Sequence, residues 1–134
     1  MPARTSSRRP PARTVRLLLP VWGYRYVKLF LEFSLPTMLA PGNVPALAGM
    51  LPCTFVLLTS SADAGAIAEH PGYQLLSSIC STEIQLIDDL ITGDNYSTTI
   101  TLAYERAVRA TGADMLDTCF FFLISDYLVA DVSL

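Results

Sequence analysis

The sequence predicts an α/β fold: a mostly parallel, Rossmann-like sheet of about four strands with flanking helices. Four short β-favouring runs (Val15–Leu19, Thr54–Leu58, Glu83–Ile87 and Cys119–Ile124) are bounded by turn-forming residues. The stretches between them carry helical periodicity or helix caps, so strands alternate with helices, which favours a parallel sheet with right-handed crossovers. Three of the four runs are almost continuously apolar, as expected of strands covered on both faces.

The first strand, Val15–Leu19, is closed by Pro20 and Gly23. A helix over Tyr24–Leu35 follows, in which Arg25, Lys28 and Glu32 fall at i, i+3 and i+7 on one polar stripe. Pro36 kinks or ends that helix. Asn43 then caps a short helix, Val44–Leu51, with Pro45 in its first turn. After the second strand, Ser60 or Ser61 caps Ala62–Glu69, with Asp63 in the first turn. His70-Pro71-Gly72 stops that helix, and Tyr73–Ile79 forms another. The third strand alternates through Glu83-Ile84-Gln85-Leu86-Ile87 and ends at Asp88-Asp89. Tyr96–Ala110 is the clearest helix: Ile100, Ala103, Tyr104, Ala107 and Val108 share one face, and Glu105 and Arg109 form an i,i+4 pair. Gly112 lies where a left-handed C-terminal residue belongs. The fourth strand, Cys119–Ile124, is apolar on both faces and is expected at the centre of the sheet.

Length and composition fit one domain with one core: 134 residues, 51% hydrophobic and 16% charged. The charge-free stretch Phe33–Ala62 is broken by Pro36, Pro41, Pro45 and Pro52, so no transmembrane segment is expected. Seven of the nine basic residues lie in the first 28 positions, which hold no acid. Residues 1–14 read as a disordered basic tail, and 15–134 as a partial nucleotide-binding domain that stops before it is complete. The tail lacks interleaved aromatic residues, so no nucleic-acid partner is expected. Cys53, Cys80 and Cys119 form no Cys-x-x-Cys pair and read as free thiols of a reducing, cytoplasmic compartment.

In open parallel sheets, ligands bind beyond the carboxyl ends of the strands. Those ends carry Val21-Trp22-Gly23, Thr59-Ser60-Ser61, Asp88-Asp89 and Ser125-Asp126. Their carboxylates would suit a divalent cation, Mn²⁺ or Mg²⁺, escorting a diphosphate; loop acids that simply face water account for the same pattern. No Gly-rich phosphate loop, dinucleotide fingerprint or nucleophile elbow is present.

Leu19-Pro20-Val21-Trp22, Phe55-Val56-Leu57-Leu58-Thr59, and the helix Thr98–Ala110 leading through Thr111-Gly112-Ala113-Asp114 into Phe121–Asp126 together resemble the N-terminal half of a GT-A-type glycosyltransferase. The resemblance covers roughly residues 15–134, and Ser133-Leu134 fit it too. It implies a truncated GT-A-like domain, binding a nucleotide-diphosphate sugar and inactive alone, with the acceptor site outside this chain. It also implies that Val21, Trp22 and Thr59 lie near the nucleotide base; Asp88 joins these candidates through its place at the carboxyl end of the third strand. Asp126 would be the second, metal-binding Asp of the family's Asp-x-Asp motif, with Asp131 as a helper. Here the first Asp of that motif is replaced by Ile124. The alternative is a non-enzymatic α/β remnant or interaction module that self-associates through an exposed apolar edge.

Overall fold

The computed structural model describes residues 13–93 and 95–125. Strand β1 (Thr14–Pro20) lies next to β2 (Cys53–Thr59), β2 next to β3 (Ser81–Leu86), and β4 (Thr118–Phe122) on the other side of β1. The order is β3-β2-β1-β4, and every pairing is parallel. The α/β class and the parallel, Rossmann-like sheet are therefore as the sequence predicts.

Between β1 and β2 the chain forms one interrupted helix, α1, and a short helix, α2 (Val44–Met50). Helix α1 begins as Tyr24–Leu29, widens into a π turn over Phe30–Ser34, and ends as Leu35–Met38. Pro36 does not stop it. The wide turn directly before the proline is where an i→i−4 ladder adjusts to a missing N–H. The predicted polar stripe of Arg25, Lys28 and Glu32 is exposed, while Val27, Phe30, Leu31, Leu35 and Met38 are buried.

Helices α3 (Ser61–Glu69) and α4 (Pro71–Ile79) connect β2 to β3. Ser60 caps α3 through its side chain, accepting from the Asp63 N–H at 3.2 Å. His70 caps α4, its Nδ1 accepting from the Gly72 N–H at 3.0 Å, which gives this histidine a structural role. Helix α5 (Tyr96–Arg109) connects β3 to β4; Asn95 caps it, and Gly112 follows it at φ +58°. That is the predicted left-handed exit.

The sheet separates two cores. Val15, Leu17, Leu19, Phe55 and Leu57 face α1–α4. Leu18, Val56 and Leu58 face α5, whose Ala103 and Ala107 are fully buried and let the helix approach closely. Cys53 and Cys80 are free thiols at the amino ends of β2 and β3. A hydrogen bond between the two thiols, then burial, pushes the Cys53 thiol well above its ordinary range.

One expectation is corrected. Among the described residues β4 is an outer strand rather than a central one: it pairs with β1 alone, and Phe121 and Phe122 are 39% and 50% exposed. Its apolar run resembles that of a doubly covered strand. But α5 passes over the face of β1 and β2 and delivers β4 to the open side of β1. That makes β1 and β2 the inner strands.

Candidate functional site

The strand order reverses between β1 and β4: the chain moves outward from β1 through β2 to β3, then returns to the other side of β1. In doubly wound sheets such a switch point, at the carboxyl ends of the strands, is where a ligand crevice opens. Here the switch point falls between the carboxyl ends of β1 and β4.

The β1–α1 turn needs Gly23, whose φ of +91° is costly for any residue with a Cβ. Its N–H donates to Asp63 Oδ2 at 2.8 Å, and the Ser60 hydroxyl donates to the same oxygen at 2.6 Å. Asp63, at the start of α3, thus ties the β1 turn to the β2 turn. Asp88, just past β3, ties in the third. Its carboxylate accepts from the Ser61 N–H at 3.0 and 3.1 Å and from the Ser61 hydroxyl at 3.0 Å. A negative charge at the first residue of α3 also complements the helix dipole. Asp89 pairs with Arg106 of α5 at 2.9 Å.

The predicted residues fall into three environments. Val21 and Thr59 are fully buried. The Val21 side chain belongs to the α1–α4 core and its N–H donates to the Leu58 carbonyl at 2.9 Å. Thr59 accepts at its backbone carbonyl from Ile87 N–H, while its hydroxyl has no hydrogen-bond partner among the described residues. Asp88 is exposed but engaged by Ser61. Trp22 is half-buried and stacks on Tyr96 at the start of α5, with ring centroids 4.4 Å apart and planes at 24°. Tyr26 leans on the same Tyr96 ring at 5.8 Å. Asp126 and Asp131 lie outside the described residues.

The sequence reading missed Tyr96 and Tyr26 as companions of Trp22, and Asp63 as the partner of Gly23. Asp63 left a trace: Ser60 and an acid three residues on form a capping pattern. Tyr96 left none, because its contact with Trp22 joins residues far apart in the chain.

At the end of β4 the backbone is held from both sides. The Ser34 hydroxyl in the π turn donates to the Ser125 carbonyl at 2.6 Å, and both residues are buried. From the other face the Tyr104 hydroxyl donates to the Leu123 carbonyl. The chain therefore leaves Ser125 from a fixed point beside the switch.

The described acids do not fit a divalent cation. No group of three or more His, Cys, Asp or Glu side chains among the described residues is placed to hold a metal. Asp63, Asp88 and Asp89 each bind groups of the protein instead.

A polar cavity of about 360 Å³ lies elsewhere, beneath the end of α5, lined by Arg16, Thr54, Glu83, Gln85, Thr111 and Asp114. Arg16 reaches Glu83 at 3.2 Å. Burial pushes the Glu83 carboxyl up, but hydrogen bonds from Gln85 and Arg16 and the Arg16 charge outweigh it and hold it below its ordinary value. No helix among the described residues is long and apolar enough to cross a membrane.

No protein-family model, curated protein or solved structure matches this chain.

Proposed function

We propose that this chain binds a nucleotide-diphosphate sugar at the carboxyl edge of its sheet and is the nucleotide-binding part of a glycosyltransferase-like protein. The observation that carries this reading is the switch point between β1 and β4, with the Trp22–Tyr96 aromatic pair beside it. A flat aromatic surface at the mouth of such a crevice suits a base or a sugar ring. Since the described acids do not form a cation site, Mg²⁺ or Mn²⁺ on the diphosphate would need Asp126, helped by Asp131.

The alternative is a non-enzymatic interaction module. The observation favouring it is that Gly23 N–H, Asp63, Asp88 and Asp89 are all engaged within the protein rather than offered outward.

Saturation-transfer NMR with uridine, guanosine, cytidine and thymidine diphosphate sugars, with and without Mg²⁺, separates the two. The binding reading predicts transfer to one nucleotide class, strengthened by Mg²⁺ and weakened in Asp126→Ala. Transfer to none of them by a folded chain rejects it in favour of the interaction module. Binding that ignores both Mg²⁺ and Asp126→Ala keeps the nucleotide and removes the metal. Trp22 is the sole tryptophan, so its fluorescence gives an independent signal from the carboxyl edge of the sheet.

A further inference from the structure

We propose that the outer edge of β4 is the surface through which two copies of this chain associate, with their β4 strands antiparallel about a two-fold axis. The inference does not rest on nucleotide binding.

Among the described residues the edge is open, and β4 itself carries no charge. β4 reads Thr-Cys-Phe-Phe-Phe and pairs on one side only among the described residues. Such an edge presents a row of backbone donors and acceptors, and β4 has none of the charges, prolines or bulges that usually protect one. Apolar grooves flank it on both faces. One of about 320 Å³ lies between Phe121 and Met38, Val44, Leu47 and Met50. The other, of about 420 Å³, lies between Phe122 and Tyr104, Val108 and Met115.

Area and charge both point to a second copy. Met50, Met115, Leu116, Phe121 and Phe122 are exposed by 76%, 40%, 67%, 39% and 50%. At about 200 Å² for a fully exposed large apolar side chain, they leave on the order of 500 Å² uncovered. A standard interface buries about 800 Å² per partner, roughly 60–65% of it apolar in homodimers, so the patch supplies what one side needs. The charged residues lining the grooves, Glu105 and Arg109, pair with each other at 3.6 Å. Among the described residues the grooves therefore offer no unpaired charge that would select a charged partner or repel a second copy. A two-fold contact uses the same patch on both subunits and closes, joining two four-stranded sheets into one of eight.

The test is sedimentation velocity of the full chain over a concentration series, with Phe122→Lys and, at the opposite edge, Leu86→Lys. Leu86 is 49% exposed against 50% for Phe122, so the two lysines are matched for exposure. The expected result is a concentration-dependent monomer–dimer equilibrium, weakened about tenfold or more by Phe122→Lys and unchanged by Leu86→Lys. Should Phe122→Lys fail to fold by circular dichroism, Leu116→Lys, on the exposed turn before β4, takes its place. A monomer at every concentration overturns the proposal, including the case in which residues beyond Ser125 cover the edge. So does open-ended growth beyond the dimer, or a dimer sensitive to Leu86→Lys and indifferent to the β4 variants.

Discussion

Among the described residues, the two outer strands of the sheet, β3 and β4, deal with their open edges in opposite ways. β3 reads Ser-Thr-Glu-Ile-Gln-Leu and places Glu83 over the sheet face, where Arg16 of β1 meets it at 3.2 Å. An inward-pointing charge on an outer strand resists pairing with another chain, because a new neighbour would have to bury it. β4 carries three phenylalanines and no charge, with apolar grooves on either side. Exposure alone does not separate the two, since Leu86 and Phe122 are equally half-exposed. The surroundings do: Leu86 follows Gln85 on a strand that also carries Glu83, whereas Phe122 lines an apolar groove with Tyr104, Val108 and Met115. An edge is protected by what lies around its apolar groups as much as by how few there are.

The comparison holds only while both outer strands hang from the same inner pair, so the largest effect is expected at the centre. Phe55 of β2 is fully buried between sheet and helices. Phe55→Ala should cost about 3–5 kcal/mol, lost transfer energy plus the cavity left behind. Urea unfolding measures it, and a loss under about 1 kcal/mol would mean that the α1–α4 core is not packed as described.

A smaller effect is expected where β3 is guarded. Glu83→Ala leaves the Arg16 guanidinium, 19% exposed, without its acid. Breaking a fully buried pair costs about 3–5 kcal/mol, but Glu83 is 41% exposed, so about 1–2 kcal/mol is expected. The carboxyl lies below its ordinary 4.5 in the folded chain. Its stabilisation is therefore present above that unfolded value and lost as pH falls through the lower folded one. Wild type and Glu83→Ala should differ most at neutral pH and converge as the pH falls below 4.5 and through the lower folded value. A gap that stays constant with pH would show that the ion pair is not its source.

Most of the fold was legible because local chemistry decides it. The apolar runs, the Ser60 and Gly112 helix ends and the one-faced periodicity of α5 are short-range signals. The position of β4 was not, since an unbroken apolar run looks the same at a covered centre and at an unguarded edge. The site divides similarly. Alternation along β2 puts Thr59 on the face of Phe55 and Leu57, so its burial could be read from the strand. Asp88 could not: its partner Ser61 is 27 residues away, and an acid holding a helix end looks identical in sequence to one awaiting a cation. The Trp22–Tyr96 stack depends on where α5 starts over the sheet, which no local pattern states.

On β4 itself, Phe122→Ala is expected to cost the isolated chain about 1 kcal/mol. The ring is half-exposed, and its main loss is the edge-to-face contact with Tyr104 at 4.9 Å. The measurement is urea unfolding of the monomer, under conditions where sedimentation shows no association. If the same substitution costs much more at concentrations where the wild type is paired, the surplus belongs to the interface, because binding to the folded state alone adds to apparent stability by mass action.

The smallest effect sharpens the contrast most. Leu86→Ala removes a side chain as exposed as Phe122, but from the end of a strand whose outward residues are already polar. It should change stability by no more than about 0.5 kcal/mol, as surface substitutions away from special features do. Its effect should also be the same at low and high protein concentration, which the β4 variant's should not. Parallel urea series for Leu86→Ala and Phe122→Ala at two protein concentrations make the comparison directly. A concentration-dependent loss for Leu86→Ala would place association at the guarded edge, and the charge of Glu83 would then have to be read as a pairing determinant rather than a barrier.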